Sequence, residues 1–448
     1  MKPFVQKRRI SDPQIIAVGF ALLILLGTVL LCLPFSARSG TWTPVGDALF
    51  TAVSASCVTG LVVVDTYTHW SWIGRAVILL MIQIGGLGFM TIATLFFLWI
   101  RRSVGLRTRQ TLSESISTTQ IGGILSLTRQ IVTGTLIVEG AGAGLLAIRF
   151  CPQFGFGRGI AYSVFHAVSA FCNAGFDLMG CYEPFGSLVP YADDPLVIGT
   201  VSVLVLIGGV GFLVWNDAAR FGIRLRKYRL HSKIVLTVTI GLTVIGTGLF
   251  LLLERAHTGA NLPFGKQLLA AFFDSVTPRT AGFNSVDTAS LSDGGKLLTM
   301  CMMLVGGSPG STAGGVKTTT MAALVLYAVS YIRHQPSFGA FGRRLEADCV
   351  RKAAVVLFAN TAAAILGALW ITAADGLPLT DVLFETFSAI GTVGMTTGIT
   401  RVLGMSSRMV IMMLMYCGRV GSLSFAIALT ERKAPPNVKN PVEEIVIG

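Results

Sequence analysis

Four segments of fifteen residues share a pattern that suits cation binding by the protein backbone. Each segment has a phenylalanine at its fourth position and, after an apolar run, a glycine at its fourteenth. The segments are DALFTAVSASCVTGL (47–61), YSVFHAVSAFCNAGF (162–176), LAAFFDSVTPRTAGF (269–283) and DVLFETFSAIGTVGM (381–395). Glycine adopts backbone conformations that a Cβ atom resists. Four such turns around one axis can therefore replace the hydration shell of a cation with carbonyl oxygens.

The side chains of the four turns narrow the type of cation. The turns CVTGL, CNAGF, RTAGF and GTVGM contain no Asp or Glu, which disfavours a ring of carboxylates for a divalent cation. Carbonyl ligands suit a weakly hydrated monovalent cation, and the negative C-terminal ends of short helices also favour a cation. The alternative is that these glycines only allow close helix packing, but packing alone does not explain the fourfold register.

The composition places these turns in a membrane. The 448-residue chain is 52% hydrophobic and 13% charged, with a mean hydropathy of +0.71, unlike a soluble globular protein. A spanning helix needs about 20 mainly apolar residues. Eight stretches qualify, at residues 15–35, 76–100, 130–150, 196–218, 234–253, 297–331, 353–374 and 409–430. The first is interpreted as a helix rather than a signal peptide, because the same pattern recurs along the chain.

Basic residues cluster in alternate connections between the spans. They precede the first span and follow the second, fourth and sixth, whereas the other connections carry more balanced charge. By the positive-inside rule, both termini are then cytoplasmic. The formal net charge of +13 is better explained by this topology, and by a surface for acidic lipid or a cytosolic partner, than by nucleic-acid binding. The eight cysteines show no metal-binding spacing and are interpreted as small packing residues.

The chain consists of four internal repeats. The glycines of the turns lie 107–115 residues apart, and each is followed by a second motif: IGGLGF (84–89), IGGVGF (207–212), VGGSPG (305–310) or CGRVGS (417–422). The apolar run before each turn is too short to cross a bilayer about 30 Å thick, so it must enter and return. The predicted fold is an all-α integral membrane protein with four parallel span–pore helix–span repeats around one central pore. The repeats occupy residues 1–110, 111–221, 222–335 and 336–448.

These motifs resemble those of the Trk/Ktr/HKT superfamily of potassium transporters. The resemblance rests on the glycine turns, the four span–pore helix–span units and a glycine-rich interruption in the third repeat, and it covers essentially the whole chain. The chain begins directly with the first span, without the extra leading pair of Trk-type subunits, which is similar to the KtrB type of membrane subunit. The implied function is potassium conduction into the cell, and the implied location is the inner or plasma membrane.

The resemblance also implies partners and filter residues. Members of the KtrB type form homodimers and bind a cytosolic nucleotide-binding ring of KtrA-like regulatory subunits, so nucleotide would act only through the partner. Sodium stimulates many members. In some plant relatives serine replaces the first filter glycine and sodium is preferred, so Gly60 points to potassium. The implied filter residues are Val58, Thr59, Gly60, Asn173, Ala174, Gly175, Thr280, Ala281, Gly282, Thr392, Val393 and Gly394.

The sequence GGSPGSTAGGVKTTT (306–320) interrupts the sixth span in its middle. Pro309 lacks an N–H group and Gly314–Gly315 weaken a helix, so the stretch is predicted to be a loop across the pore below the filter. It resembles the gating loop of the superfamily. Its spacing departs from that of a Walker A motif, in which the lysine directly follows the second glycine, because here Val316 stands between that glycine and Lys317. The predicted gate comprises Gly306, Gly307, Ser308, Pro309, Gly310, Ser311, Thr312, Ala313, Gly314, Gly315, Val316 and Lys317, together with Arg419.

Arg419 and Lys317 each have two interpretations. Arg419 stands where the other motifs have a glycine, so its side chain is expected to point into the space left near the axis. There it can repel a cation or donate hydrogen bonds to the loop, and the superfamily also has an arginine in this position. A structural ion pair is the alternative. Lys317 either contributes to the barrier or extends toward the cytoplasmic side.

Other residues are expected to support the filter or the assembly. Arg279 is predicted to brace the third turn from behind, with Asp274 and Glu385 of the neighbouring pore helices as candidate partners. His166 is interpreted as a packing residue. The C-terminal VKNPVEEIVIG is predicted to lie at the dimer interface.

Two alternative functions stay under consideration. A sodium or mixed monovalent cation transporter would have the same fold and would differ only in filter energetics. A membrane enzyme or an ATP-driven pump would need a nucleotide-binding or catalytic domain. Since no hydrophilic stretch of this sequence reaches domain length, this second alternative is disfavoured.

Overall fold

A computed structural model of the chain describes residues 12–88, 91, 113, 124–260, 263–335 and 337–421. The helices, in chain order, are α1 (Asp12–Cys32), α2 (Val45–Cys57), α3 (Trp72–Leu87), α4 (Ile124–Phe154), α5 (Phe156–Phe171), α6 (Pro195–Val210), α7 (Phe212–Phe221), α8 (Leu230–Glu254), α9 (Phe264–Val276), α10 (Asp293–Met303), α11 (Thr318–Ile332), α12 (Ala347–Asp375), α13 (Leu379–Gly391) and α14 (Met405–Val420). Two short strands, β1 (Gly339–Ala340) and β2 (Arg343–Arg344), form an antiparallel hairpin between α11 and α12. The predicted tail interface, within residues 438–448, lies outside the described residues.

Within the described residues, four long helices have the length and apolar composition to cross a membrane. They are α1, α4, α8 and α12, and each precedes one of the fifteen-residue segments. Only 28% of the most apolar stretch of each helix is buried. Leu22, Leu25 and Leu26 of α1, for example, are more than half exposed. Apolar surface of this extent is compatible with a lipid environment rather than with water.

Four shorter helices, α2, α5, α9 and α13, occupy the fifteen-residue segments and end just before the turns. A helix of 13 residues is about 20 Å long, which is too short to cross a bilayer. Each segment contributes fully buried phenylalanines to the core, namely Phe50, Phe171, Phe176, Phe273, Phe283 and Phe384. In the third segment the in-register Phe272 is only partly buried, and its neighbour takes the core position.

The helices that follow the turns end at the second glycine motif. Gly88, Gly211 and Gly421 come directly after α3, α6 and α14 and have φ values of 81°, 94° and 93°. Such values end a helix and favour glycine. The predicted span 196–218 is consequently not one straight helix, because α7 leaves α6 at 95°. Residues 92–100 and 422–430 of two other predicted spans lie outside the described part of the chain.

Carboxylates tie consecutive helices together. Glu254 at the end of α8 accepts a hydrogen bond from the Ser292 N–H at the start of α10 (3.1 Å), and Asp375 of α12 accepts one from Gly404 before α14 (3.0 Å). Asp217 of α7 accepts hydrogen bonds from the Ser232 hydroxyl (2.7 Å) and the backbone N–H before α8. These contacts cap the helices and fix their relative positions.

All eight cysteines are free, and six of them are buried or half-buried, as expected of packing residues. The other two, Cys301 and Cys349, are exposed, so for them the packing interpretation is wrong.

Candidate functional site

The four turns have an irregular backbone with the same two left-handed positions in each segment. The residue at position twelve (Val58, Asn173, Thr280 or Thr392) has a φ of 51–73°, and the glycine at position fourteen has a φ of 68–97°. Three of the four residues at position twelve are β-branched, and left-handed backbone at such a residue costs about 1–3 kcal/mol. Strain of this kind is retained where the surrounding structure demands it, which makes the turns a candidate functional site.

The glycines bring the turns together in a closed ring. A methyl carbon added to any of the four glycines would lie within 2.8 Å of a carbonyl oxygen of another turn. The distances are 2.5 Å from Gly60 to Ala174 and 2.8 Å from Gly175 to Ala281. They are 2.5 Å from Gly282 to Val393 and 2.0 Å from Gly394 to Thr59. Each glycine thus touches the middle carbonyl of the next turn, and the fourth touches the first. The side chain of Asn173 adds a hydrogen bond to the Thr280 hydroxyl (3.1 Å) between turns two and three.

Hydroxyl groups of the short helices hold each turn from behind. The Ser54 hydroxyl accepts from the Gly60 N–H (3.1 Å), and that of Ser388 accepts from the Gly394 N–H (3.0 Å). In the second and third segments a hydroxyl instead donates to the carbonyl after the glycine, from Ser169 to Phe176 (2.7 Å) and from Thr277 to Phe283 (2.6 Å). These residues were not predicted. The signal was present as a serine at position eight of three segments.

We expect Ser388→Ala to lower the free energy of unfolding by about 1–3 kcal/mol and so to lower the melting temperature, because it leaves the buried Gly394 N–H without an acceptor. Ser407→Ala is the matched control, since Ser407 is equally buried but its hydroxyl has no partner among the described residues. The measurement is the melting temperature of each purified variant. Equal effects of the two substitutions would contradict the proposed support of the turn.

The first glycine of the second motif allows close helix packing. A methyl carbon on Gly85 would lie 2.1 Å from the Ser56 carbonyl oxygen, one on Gly208 2.0 Å from that of Phe171, and one on Gly418 2.1 Å from that of Ile390. All three carbonyls belong to position ten of their segments. In each of these repeats the helix after the turn (α3, α6 or α14) therefore packs against the end of the helix before it, and the first glycine of the motif permits this contact.

Residues at position five fasten the chain beyond the turn. His166 is fully buried, and its Nε2 accepts a hydrogen bond from the Leu178 N–H (3.3 Å). Glu385, at the same position in the fourth segment, accepts hydrogen bonds from the hydroxyls of Thr396 (2.7 Å) and Thr400. His166 also packs against aromatic rings, as predicted, but it has this additional structural contact.

The expected ion pairs of Arg279 are not formed. Arg279 lies behind the third turn, where its guanidinium donates to the hydroxyl (3.2 Å) and carbonyl (3.5 Å) of Thr239 in α8. No ion pair joins it to Asp274 or Glu385 in the described structure. Glu385 is engaged by threonines, and Asp274 lines a crevice between α8 and α9. The side chain of Arg279 reaches α8, whereas the predicted ion pairs with Asp274 and Glu385 are not observed.

A cavity of about 230 Å³, the vestibule, is lined by all four turn glycines and by residues that follow the turns in the chain. Asp65, Asp177, Asp287 and Arg401 also line it. Burial, with a smaller contribution from the neighbouring Asp65 carboxylate, raises the pKa of Asp177 to about 7. The acidic residues give this vestibule a negative potential when ionised, and such a potential raises the local concentration of cations.

The predicted loop connects α10 to α11, and its two ends are paired with each other. Its neck is closed by hydrogen bonds from the Gly306 N–H to the Val316 carbonyl (2.8 Å) and from the Thr318 N–H to the Gly307 carbonyl (3.0 Å). Lys317 donates to the Ala313 carbonyl (2.7 Å). Its ammonium group therefore folds back onto the loop and does not extend away from it.

The loop is attached to the second repeat at three points. The Ser308 N–H donates to the Gly209 carbonyl (2.9 Å), and the Phe212 N–H of α7 donates to the Gly310 carbonyl (2.7 Å). The Thr312 hydroxyl donates to the carbonyl of Phe171 at the end of α5 (3.0 Å). These contacts place the middle of the loop directly beside the second turn.

The loop also reaches the first and fourth repeats, and Arg419 makes the connection. One Arg419 nitrogen donates to the Thr312 carbonyl, and the other donates to the carbonyls of Gly85 and Gly86 (3.0 Å) at the end of α3. A methyl carbon on Gly314 would lie 2.1 Å from the Thr392 hydroxyl oxygen. Among the described residues Arg419 has no ion pair with an acid, so the alternative of a structural ion pair is not observed. The loop thus spans the space between the repeats next to the ring.

The chain is similar to known cation transport proteins. A family model described as "TrkH: Cation transport protein" matches residues 5–437. The "Potassium/sodium uptake protein NtpJ" of Enterococcus hirae is 41% identical over 100% of this chain and 99% of that protein, and the "Ktr system potassium uptake protein B" of Bacillus subtilis is 37% identical over 98% and 97%. The crystal structure of the potassium transporter TrkH from Vibrio parahaemolyticus covers 96% of this chain and 87% of its own, with a TM-score of 0.75 at 18% identity. At this identity the shared feature is the fold.

Proposed function

This chain belongs to the TrkH family of cation transport proteins, and from that premise we propose that it conducts potassium into the cell through the ring of glycine turns. The observation that carries the proposal is the closed ring itself, in which four strained turns of one chain meet through their glycines and middle carbonyls. The family and the membrane-length helices make the chain a multi-pass membrane protein. A ring of backbone oxygens can replace the water around a cation.

The chemistry of the ring favours potassium. Its turn residues carry no carboxylates, and neutral carbonyl oxygens suit a large, weakly hydrated monovalent cation. The acidic vestibule outside the ring would supply cations to it. A sodium or mixed cation transporter is the second candidate, and one observation favours it, namely the 41% identity to a relative named as a potassium/sodium uptake protein.

We propose that the loop is the gate of this pathway and that the described conformation is closed. The loop lies beside turns two and four and is held by hydrogen bonds to the second and fourth repeats. Arg419 would add a positive charge below the ring, which opposes the passage of a cation. The filter, gate and support residues predicted from the sequence therefore keep their proposed roles, except for the ion pairs of Arg279.

Assembly and regulation are further parts of the proposal. The chain would act as a homodimer bound to a KtrA-like cytosolic ring that would bring the nucleotide. Relatives at 36–37% identity are named as parts of Ktr systems, which supports a system with further components. The basic connection 220–229 would face the cytoplasm, together with both termini, and would contact acidic lipid or this ring. Sodium is a candidate activator.

The test is ion uptake by purified protein reconstituted in liposomes, supported by growth of a potassium-uptake-deficient strain at low potassium. We expect potassium influx, with sodium as a weak competitor. Empty liposomes are the control for leakage. Equal competition by sodium would favour the mixed-cation alternative, and the absence of any cation flux from folded protein would reject the proposed function.

A further inference from the structure

A small crevice opens between α8 and α9, away from the ring and the loop. It extends from the connection between these helices to Asp274, near the end of α9, and it also borders Val286 beyond the third turn. Its volume is about 20 Å³. A cavity needs roughly 10–15 Å³ on this scale to hold one water molecule, so the crevice has room for a single guest of that size.

Asp274 is the unusual residue of this crevice. Its side chain is only 6% exposed, and no hydrogen bond or ion pair reaches its carboxylate from any residue that the structure describes. An ionised carboxylate in such a position is costly unless a positive charge accompanies it. The other three segments have Ala52, Ala167 and Thr386 at this position. The charge is therefore an addition in the third repeat and is not part of the shared framework.

The other polar groups of the crevice offer oxygen atoms to a cation. Glu254 is also 6% exposed; its Oε2 accepts a hydrogen bond from the Thr258 hydroxyl (3.0 Å), and its Oε1 accepts from the Ser292 N–H (3.1 Å) and hydroxyl, so Oε2 is the oxygen with room for a further ligand. With both acids ionised and Arg255 at the exposed edge, the lining carries two negative charges and one positive charge. A monovalent cation would balance this arrangement. Carboxylate and hydroxyl oxygens are ligands of hard cations rather than of soft metals.

We propose that this crevice binds one sodium ion, with Asp274 as its principal ligand and Glu254 as the second. Carboxylate oxygens have a stronger field than carbonyl oxygens and so prefer the smaller sodium ion to potassium. The site is separate from the proposed pore. Because the crevice borders both α9 and Val286, an ion bound there would stiffen the backbone on both sides of the third turn.

The test measures sodium binding to the purified full-length chain in saturating potassium chloride, which occupies the ring. Sodium chloride replaces choline chloride at constant ionic strength, and the readouts are the melting temperature and retention of radioactive sodium. We expect sodium to raise the melting temperature and one sodium ion to be retained per chain. Asp274→Asn should abolish both effects, whereas Glu183→Gln, an exposed acid in another connection, should leave them intact.

A second variant covers the case in which Asp274→Asn does not fold. Ala270→Leu fills the crevice from a half-buried position and keeps both acids, so it should also abolish sodium retention. Sodium retention by either folded variant, or an equal effect of calcium chloride in the wild type, would overturn the proposal. Binding is measured without transport. Loss of sodium binding with normal potassium flux, or the reverse, therefore separates this inference from the proposed function.

Discussion

Arg419→Ala is expected to raise potassium flux by about 10- to 100-fold, because the charge-assisted hydrogen bond to the Thr312 carbonyl, of about 1.5–3 kcal/mol, no longer holds the loop. The guanidinium joins the Thr312 carbonyl of the loop to the Gly85 and Gly86 carbonyls of α3. Alanine removes these donors and the positive charge together. The measurement is the initial rate of potassium influx into liposomes at equal protein density, with and without the regulatory partner.

Two further substitutions identify the cause of the effect. Arg419→Lys keeps the charge but cannot reproduce the planar fork that reaches carbonyls on two repeats, so an electrostatic barrier predicts little change and a hydrogen-bonded latch predicts an increase. Arg408→Ala is the matched control, since Arg408 lies on the same helix and pairs with Asp47 (2.9 Å) without contacting the loop. An increase for Arg408→Ala as large as that for Arg419→Ala would indicate general loosening of the protein.

Deletion of residues 308–315 should act in the same direction. The neck bond between Gly306 and Val316 is short (2.8 Å), so the two ends can be joined with little displacement. We expect the deletion and Arg419→Ala to be non-additive, because both disrupt one contact network. Potassium preference should persist, since the ring is unchanged. A folded deletion variant that transports no faster than the wild type and still depends fully on its partner would refute the gate.

The second large effect is expected at the ring glycines. Gly60→Ser should lower the preference for potassium over sodium, because its Cβ atom would lie 2.5 Å from the Ala174 carbonyl oxygen at a φ of 97°. Displacement of that carbonyl and of the adjacent turn costs about 1–3 kcal/mol in strain, and the new hydroxyl offers a ligand to a smaller ion. The measurement is the sodium-to-potassium permeability ratio in reconstituted protein.

The four glycines should differ in sensitivity. The approach is closest at Gly394, where a methyl carbon would lie 2.0 Å from the Thr59 oxygen, and loosest at Gly175, at 2.8 Å from that of Ala281. Substitution by alanine should therefore lower the preference for potassium most at Gly394 and least at Gly175. Gly40→Ser is the control, since Gly40 has a φ of 68° but no atom within 4 Å. A permeability ratio that stays at the wild-type value in folded Gly60→Ser would show that the first turn has been misassigned.

The short helices and their turns could be anticipated because their determinants are local. A phenylalanine and a glycine ten residues apart, repeated four times, indicate a helix of fixed length followed by a backbone that needs a positive φ. Pro309 and two glycines likewise indicated that the sixth span is interrupted. The sequence also predicted the loop, since no helix accommodates that composition between apolar flanks.

The partners of individual side chains could not be anticipated in the same way. Arg279 turns to Thr239, forty residues earlier, and Glu385 turns to threonines that follow its own segment. These choices depend on the rotation of each helix about its axis, which the repeat pattern leaves open. The bend after Val210 was missed for a related reason, because an apolar helix continues on both sides of Gly211 and hydropathy does not register a change of direction.

The bend at Gly211 makes α7 a lever. Asp217 pins one part of α7 to the start of α8, while the Phe212 N–H at its other end holds the Gly310 carbonyl (2.7 Å). Because α7 leaves α6 at 95°, a rigid tilt of α7 at its basic end would move the loop crosswise to α6. A displacement of residues 220–229 would then be passed through α7 to the loop, without any rearrangement of the ring.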